Sequence, residues 1–243
     1  MASSPRLVVF IVTNMALDYL KTKSLRSTAY GIPVGFLEVR GIVNATESAR
    51  LAAEIRTFLG DLLATSSLDA VLADPRLTGY QALHARIGKT GRQFVPSPES
   101  QFKFLFKRRE WRATRVLIDC YSLVSMQTRV SIGAHDLAQL TLPLALEQMQ
   151  GDDTVTLIGE TVPTRVTSGE YCYRDAAGRL LGRLECRQAA HSRITEATRD
   201  VLFIVQGHAT LGAPEIIATV EALLSALTLY CGGWASATLT LAE

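Results

Sequence analysis

Two hydrophobic periodicities run through this chain with no linker between them, and that combination limits the folds open to it. Val34–Val43, Val201–Val205 and Ser236–Leu241 are short β-branched or alternating runs, the pattern of strands. Leu51, Ile55, Phe58, Leu59, Leu62 and Leu63 recur at helical spacing. Asn44 and Glu47 before them have capping-box spacing and predict a helix ending near Leu63. A second helix is predicted from Ser97-Pro98, with Phe102, Leu105 and Phe106 inward. A third begins at Pro214, with Ile217, Val220, Leu223, Leu224 and Leu227 inward, and Gly232-Gly233 stops it. Leu7–Val12 and Val116–Cys120 read as further buried strands, and Gly169–Arg187 as a hairpin around an Asp175–Gly178 turn. Strands mixed with long helices, without regular βαβ repeats, predict an α+β domain.

Composition supports a large core. The chain has 243 residues, 48% apolar and 20% charged, which is enough for one compact body and excludes a disordered chain. No stretch reaches the ~18 uninterrupted apolar residues of a membrane span, and the N-terminus lacks the ordered zones of a signal peptide. Cys120, Cys172, Cys186 and Cys231 lie far apart, with no CxxC pair. That spacing suits neither a zinc site nor a disulfide framework. The expectation is a cytoplasmic protein with buried thiols, no metal, no cofactor and no membrane partner.

Charge is distributed unevenly. Between Arg86 and Arg115 stand nine Lys or Arg against Glu99 and Glu110, a local net of +7 in a chain whose net is +2. A solvated helix face explains part of this, and cations at a helix C-terminus favour its dipole. The excess also suits a polyanion, with Lys89, Arg92, Lys103, Lys107, Arg108, Arg109 and Arg112 as candidate contacts to nucleic-acid phosphates.

General catalytic motifs are absent. Gly88-Lys89-Thr90-Gly91 lacks P-loop spacing, and there is no GxSxG, HExxH or GxGxxG. The four histidines are scattered. His135-Asp136 reads either as a general base beside a carboxylate or as a polar turn, and His191-Ser192 either as part of an acyl-transfer site or as a polar loop.

Several blocks in order carry a resemblance. Val95-Pro96-Ser97-Pro98-Glu99-Ser100 resembles an Arg-Pro-Ser-Ser-Glu-Ala-Leu helix start, with Val95 in place of the Arg. Ile118, Asp119, Val124, Gly133, Ala134, Asp136 and Leu137 match a second block, with Ser122 where Asn is expected. Gly169, Glu170, Tyr173 and Asp175 match a hairpin; Arg183, Arg187, Gln188, Thr195 and Thr198 match the last block, with Leu184 and Glu185 replacing a Trp-Asn pair. From about Tyr80 to Gly233 the chain resembles the B3/B4 domain of the phenylalanyl-tRNA synthetase β subunit, as also found in free-standing proteins.

The resemblance implies a three-layer sheet/sheet/helix sandwich with a pocket between the sheets. All 243 residues would form one B3/B4-like domain, residues 1–80 completing the core of the region 80–233. In the synthetase the pocket hydrolyses the wrong aminoacyl ester on tRNA, by positioning water and using the terminal ribose hydroxyl, without a dedicated nucleophile. The implied function is trans-editing of a mischarged or non-standard aminoacyl-tRNA. The alternatives are a transferase using an amine co-substrate, and a non-catalytic tRNA-binding module. Candidate substrate-binding residues are Ser122, Gly133, Glu170, Glu185, Arg187, Gln188, Thr198 and Ile204; His135 and His191 are the catalytic candidates. Bacterial synthetases have a His at the position of Gly133 and an acid that reads the wrong phenol at the position of Ile204, so tyrosine specificity is not implied here. Glu170 and Glu185 either bind an α-amino group or are hairpin-face charges, and Arg187 either lines the pocket or bridges to a neighbouring strand.

Overall fold

A computed structural model describes residues 12–13 and 32–242. The strand expected at Leu7–Val12 lies, apart from Val12, outside the described residues. Strands β1 (Val12–Thr13) and β2 (Val34–Arg40) precede five helices: α1 (Ala49–Thr65), α2 (Leu68–Leu72), α3 (Pro75–Arg86), α4 (Ser97–Arg108) and α5 (Val116–Thr128). Then come β3 (Ser131–Asp136), β4 (Ala145–Gln148), β5 (Thr154–Val155), β6 (Thr164–Arg165) and β7 (Tyr171–Arg174). The chain continues through β8 (Gly182–Arg183), β9 (Arg187–Gln188) and β10 (Val201–Gln206) to α6 (Ala213–Tyr230) and β11 (Ser236–Ala242). This is the expected α+β architecture.

The main sheet has the order β1-β11-β2-β10-β3 and is antiparallel except for the β1/β11 pair. Period-2 alternation gives its two faces different partners. Leu37, Val39, Val201, Phe203, Val205, Ile132 and Ala134 pack on Leu51 and Ile55 of α1, Leu117 and Leu123 of α5, and Val220 and Leu223 of α6. Val34, Phe36, Leu202 and Ile204 face the other way, onto Leu146, Tyr171, Tyr173, Leu181 and Leu184 of the short strands and their loops. Helices therefore cover one face and hairpins the other. Helix α6 is long and apolar enough to cross a membrane by composition alone, yet Val220, Leu223 and Leu227 are fully buried in the core.

Two expectations need correction. Val116–Cys120 is the start of helix α5, not a strand. A short apolar run does not distinguish strand from buried helix, and Leu117, Cys120 and Val124 also carry the i, i+3, i+7 spacing that prevails. The carboxylate of Asp119 secures the start by accepting from the Thr114 backbone N–H (3.0 Å) and hydroxyl (2.9 Å). The first long helix is capped by Ser48, whose Oγ accepts from Leu51 N at 3.3 Å. Asn44 instead donates to the carbonyls of Thr195 and Thr198, tying this entry loop to a distant one. The Val201 strand and the Pro214 helix form as expected; the Asp175–Gly178 turn forms too, with Arg174 bridging to Leu180, but β7 ladders with β4 and β8 with β9.

Close approach of backbone makes one glycine indispensable. A Cβ at Gly79 in α3 would fall inside the His208 imidazole, which is held at 3.0 Å from Arg76 O and 3.3 Å from Thr210 N. Gly79→Ala is expected to lower stability by about 1–3 kcal/mol, the usual cost of overpacking, measured as a lower urea midpoint with unchanged slope.

Candidate functional site

The register of the main sheet builds one wall of a cavity. Ile204 pairs with Gly133, Leu202 with His135 and Gln206 with Ser131, so Gly133, His135, Ile204 and Gln206 all face the hairpin side. Gly133 offers no side chain, and this leaves space at the sheet's β3 edge. The opposite wall is the segment 181–188 with Tyr173, and α4 and α5 contribute Ser97, Gln101, Tyr121 and Ser122. The enclosed volume is about 240 Å³. That is below the roughly 300 Å³ at which sites for drug-sized ligands begin, so it suits a single small group.

A buried polar network forms the base. His84 of α3 places Nε2 2.6 Å from Glu185 Oε1, with both side chains almost wholly buried. The two lie at hydrogen-bond distance but outside ideal hydrogen-bond alignment. The other imidazole nitrogen lies 2.9 Å from the Phe94 carbonyl. Glu185 Oε2 accepts from the Tyr171 hydroxyl and, at 3.1 Å, from Gln206 Nε2. Tyr173 donates to Gln206 Oε1 at 3.0 Å, and Tyr80 donates to the Gln206 carbonyl at 2.6 Å while accepting from Ser131 N.

Burial disfavours both charges of the pair, yet the pair wins. Burial alone would lower the pKa of His84, but the neighbouring Glu185 carboxylate and the Phe94 carbonyl raise it above its ordinary value. Burial would raise that of Glu185, but the imidazolium and the Tyr171 hydroxyl hold it below the usual carboxylate value. Cys186 Sγ lies within 4.8 Å of both ligand-type atoms of the pair. A metal does not fit well among them: 2.6 Å is shorter than the roughly 3.3 Å between two ligands around a tetrahedral zinc with bonds of about 2 Å.

His135 lines the cavity under different conditions. Its Nδ1 lies 2.9 Å from the buried Ser192 hydroxyl and 3.3 Å from Gln188 Nε2. The Gln188 amide nitrogen also donates to the Ala134 carbonyl at 2.6 Å, which orients it as a donor. The Gln188 amide nitrogen can only donate, so Nδ1 is the acceptor, the ring carries its proton on Nε2 and the Ser192 hydroxyl donates as well. Nε2 has no protein partner among the described residues and lies 3.6 Å from where a Cβ on Gly133 would stand. Burial, with His191 nearby, lowers the pKa of His135 to about 3. The ring is therefore neutral at ordinary pH and presents an N–H donor to the cavity.

Of the residues singled out from sequence, Ser122, Gly133, His135, Glu185, Arg187, Gln188 and Ile204 converge on this cavity. Glu170 does not: its buried carboxylate takes two bonds from Arg183 and others from Thr167, and it anchors the hairpin. Thr198 is also buried outside the cavity, donating to Asp136 at 2.6 Å. His191 sits in a surface cleft with Arg193 and Arg199. Neither sequence pairing of histidine holds: successive residues on β3 point to opposite faces, so Asp136 meets Thr198, and Ser192 pairs with His135 instead of His191. Glu185 is neither an open ammonium site nor a surface charge, because its charge is matched by His84. Arg187 lines the cavity rim and is paired with Glu160 on the loop after β5.

The basic residues divide. Lys89 and Arg92 border a cleft beside His84, Lys103 pairs with the buried Glu99, and Lys107, Arg108 and Arg109 cluster at the end of α4. Sequence reading gave no site role to His84, Gln206 or Tyr173, the last of which it matched only to a hairpin pattern. Gln206 was legible as a polar residue ending an apolar strand on the face of Ile204; His84 had no local signal.

Comparison with known proteins supplies a family. The B3/4 domain family model matches residues 79–213, more than half of the chain. The chain belongs to the B3/4 domain family. No curated protein matches it in sequence. Among solved structures, it is similar to an N-terminal fragment of the phenylalanyl-tRNA synthetase β subunit from Pyrococcus horikoshii, with 12% identity and a TM-score of 0.42. The match covers 85% of this chain and 46% of that one, so this B3/4 protein spans less than half the length of its neighbour.

The ion pair gives a defined pH dependence. The contribution of Glu185 is present above its ordinary pKa of 4.5 and is lost as pH falls through the lowered folded value. That of His84 is complete below 6.5 and is lost as pH rises through the raised folded value. Glu185→Gln should therefore destabilise the protein most between about pH 4.5 and 6.5, by about 3 kcal/mol. The deficit should shrink towards both extremes in urea titrations repeated across pH.

Proposed function

We propose that this protein hydrolyses a mischarged or non-standard aminoacyl-tRNA ester in trans, in the cytoplasm. The observation that carries the reading is the neutral His135, with its Nε2–H directed into a cavity of single-amino-acid size. Membership of the B3/4 family and the cationic end of α4 support tRNA as the carrier of the ester.

An aminoacyl ester needs little activation, so orientation and charge stabilisation can supply the rate. Water adds to the acyl carbon, and negative charge collects on the carbonyl oxygen. The Nε2–H of His135 donates to that oxygen. The tetrahedral intermediate then expels the ribose oxygen, which leaves with the proton from water, and the free amino acid departs. An imidazole of pKa about 3 is a poor proton acceptor and an effective neutral donor, so its role is electrophilic. Ile204, Leu181 and Leu184 give the acyl side chain an apolar surface, while Ser122, Gln188 and Gln206 offer hydrogen bonds.

A second reading, transfer of the aminoacyl group to an amine, draws on a second cavity next to the first, which shares Gln101 and Ser122 with it. Incubation with a panel of radiolabelled aminoacyl-tRNAs, with and without free amines, separates the two. Loss of label to free amino acid supports hydrolysis and amide formation supports transfer. No loss from any substrate would sink both. His135→Gln should lower kcat about 100-fold or more with little change in KM, the effect of removing an oxyanion donor.

The carrier is tested separately. Replacing Lys107, Arg108 and Arg109 by Ala should weaken tRNA binding and flatten its salt dependence by up to about three counterion equivalents. Unchanged affinity would reject this face as the contact.

A further inference from the structure

Two cysteines meet in the helical layer. Cys120 on α5 and Cys231 at the C-cap of α6 belong to the same apolar cluster, and neither has any exposed surface. Helical spacing places both. Leu117, Cys120 and Val124 lie on the core face of α5, and Leu223, Leu227 and Cys231 follow one another four residues apart on α6. The two helices pack directly on each other. Their thiols face one another, and each is the largest influence on the other's titration. Cys172 on β7 and Cys186 in the turn between β8 and β9 belong to different clusters.

The paired thiols are not equivalent. The Cys120 S–H is directed at the Cys231 sulfur, which raises the pKa of Cys120 and lowers that of Cys231. Burial pushes Cys172 up to about 12 and raises Cys186 as well. Cys231 also lies close to a route from solvent. Leu229 and Gly232, on either side of it, are exposed. Its N–H to the Leu227 carbonyl (3.0 Å) belongs to the last turn of α6, and Gly232 and Gly233 then turn the chain away at φ +90° and +107°. Opening of that one turn admits a small oxidant, and helix ends are where such local opening costs least.

We propose that Cys120 and Cys231 form a redox pair, which a hydroperoxide closes into a disulfide tying α5 to the end of α6. The Cys231 sulfur attacks one oxygen of hydrogen peroxide and the O–O bond breaks. The sulfur becomes a sulfenic acid, and the other oxygen leaves as water with the thiol proton. The Cys120 sulfur then displaces hydroxide from Cys231, and that hydroxide takes the Cys120 proton to give a second water. The two thiols together lose two electrons, which reduce the O–O bond. Cys120 directly precedes Tyr121 and Ser122, which line the first cavity, so the bridge closes on the helix that carries that wall.

The test needs no substrate. The native chain is treated with hydrogen peroxide, blocked with N-ethylmaleimide in urea and digested with trypsin. Peptide 116–129 should appear joined to peptide 200–243 with two hydrogens lost, and Cys172 and Cys186 should carry the label. Dithiothreitol should part the two peptides. Cys120→Ser should leave Cys231 as a sulfenic acid that dimedone traps, while Cys231→Ser should leave Cys120 an unoxidised thiol. The peptide map is read on the unaltered chain, so it decides the matter even where a variant does not fold. Four labelled cysteines after peroxide, a bridge to Cys172 or Cys186, or a link between two copies of the chain would overturn the pair. Dimedone found on Cys120 instead of Cys231 would overturn the order of attack.

Discussion

The buried pair of His84 and Glu185 is the constraint on which the site depends. An isolated carboxylate at this depth would be too costly to keep ionised. The imidazolium and the Tyr171 hydroxyl make it tolerable, and in doing so they fix the relation of α3 to the turn between β8 and β9. Gln206 extends the constraint into the main sheet and, through Tyr173 and Tyr80, to β7 and to the start of β3. Five parts of the fold thus meet on one polar network. Networks of this kind specify a unique arrangement because a partly satisfied version is worse than none.

The pair also accounts for the division of labour in the cavity. Glu185 faces the cavity but its charge is matched from behind, so it acts as a fixed acceptor at the base and not as a free anion. His135, across the cavity, is buried without an acid partner and stays neutral. Two histidines, one with its pKa raised and one with its pKa lowered, thus result from one physical rule: whether a carboxylate shares the burial. Ser192 and Gln188 complete the contrast by donating to Nδ1 of His135, which leaves the other nitrogen to act on a ligand.

Much of the fold was legible in the chain. The β-branched run at Val201–Val205 and the spacing of Val220, Leu223, Leu224 and Leu227 correspond to elements in the structure because burial on one face imposes its period on the sequence. The Val116 segment was misread because five apolar residues fit either period; the continuation to Leu123 and Val124 decides for helix. The cavity was legible where the family pattern marked its residues: Gly133 and Ile204 come from that pattern, and the pairing of β3 with β10 puts them on one face with His135. Glu170 and Thr198 matched a family pattern for a different reason, since their polar groups hold a hairpin and a loop in place.

What the sequence by itself determined is most of the local elements, the α+β class, the charged stretch ending in α4 and seven of the residues that line the cavity. Each is encoded over a few neighbouring residues, where period, cap or turn chemistry acts at short range. What only the tertiary structure decided is pairing. His84 meets Glu185 across a hundred residues, and Ser192 meets His135 across 57. The second cavity exists because two helices and their loop enclose it. Such contacts depend on the relative placement of elements, and no spacing along the chain records it.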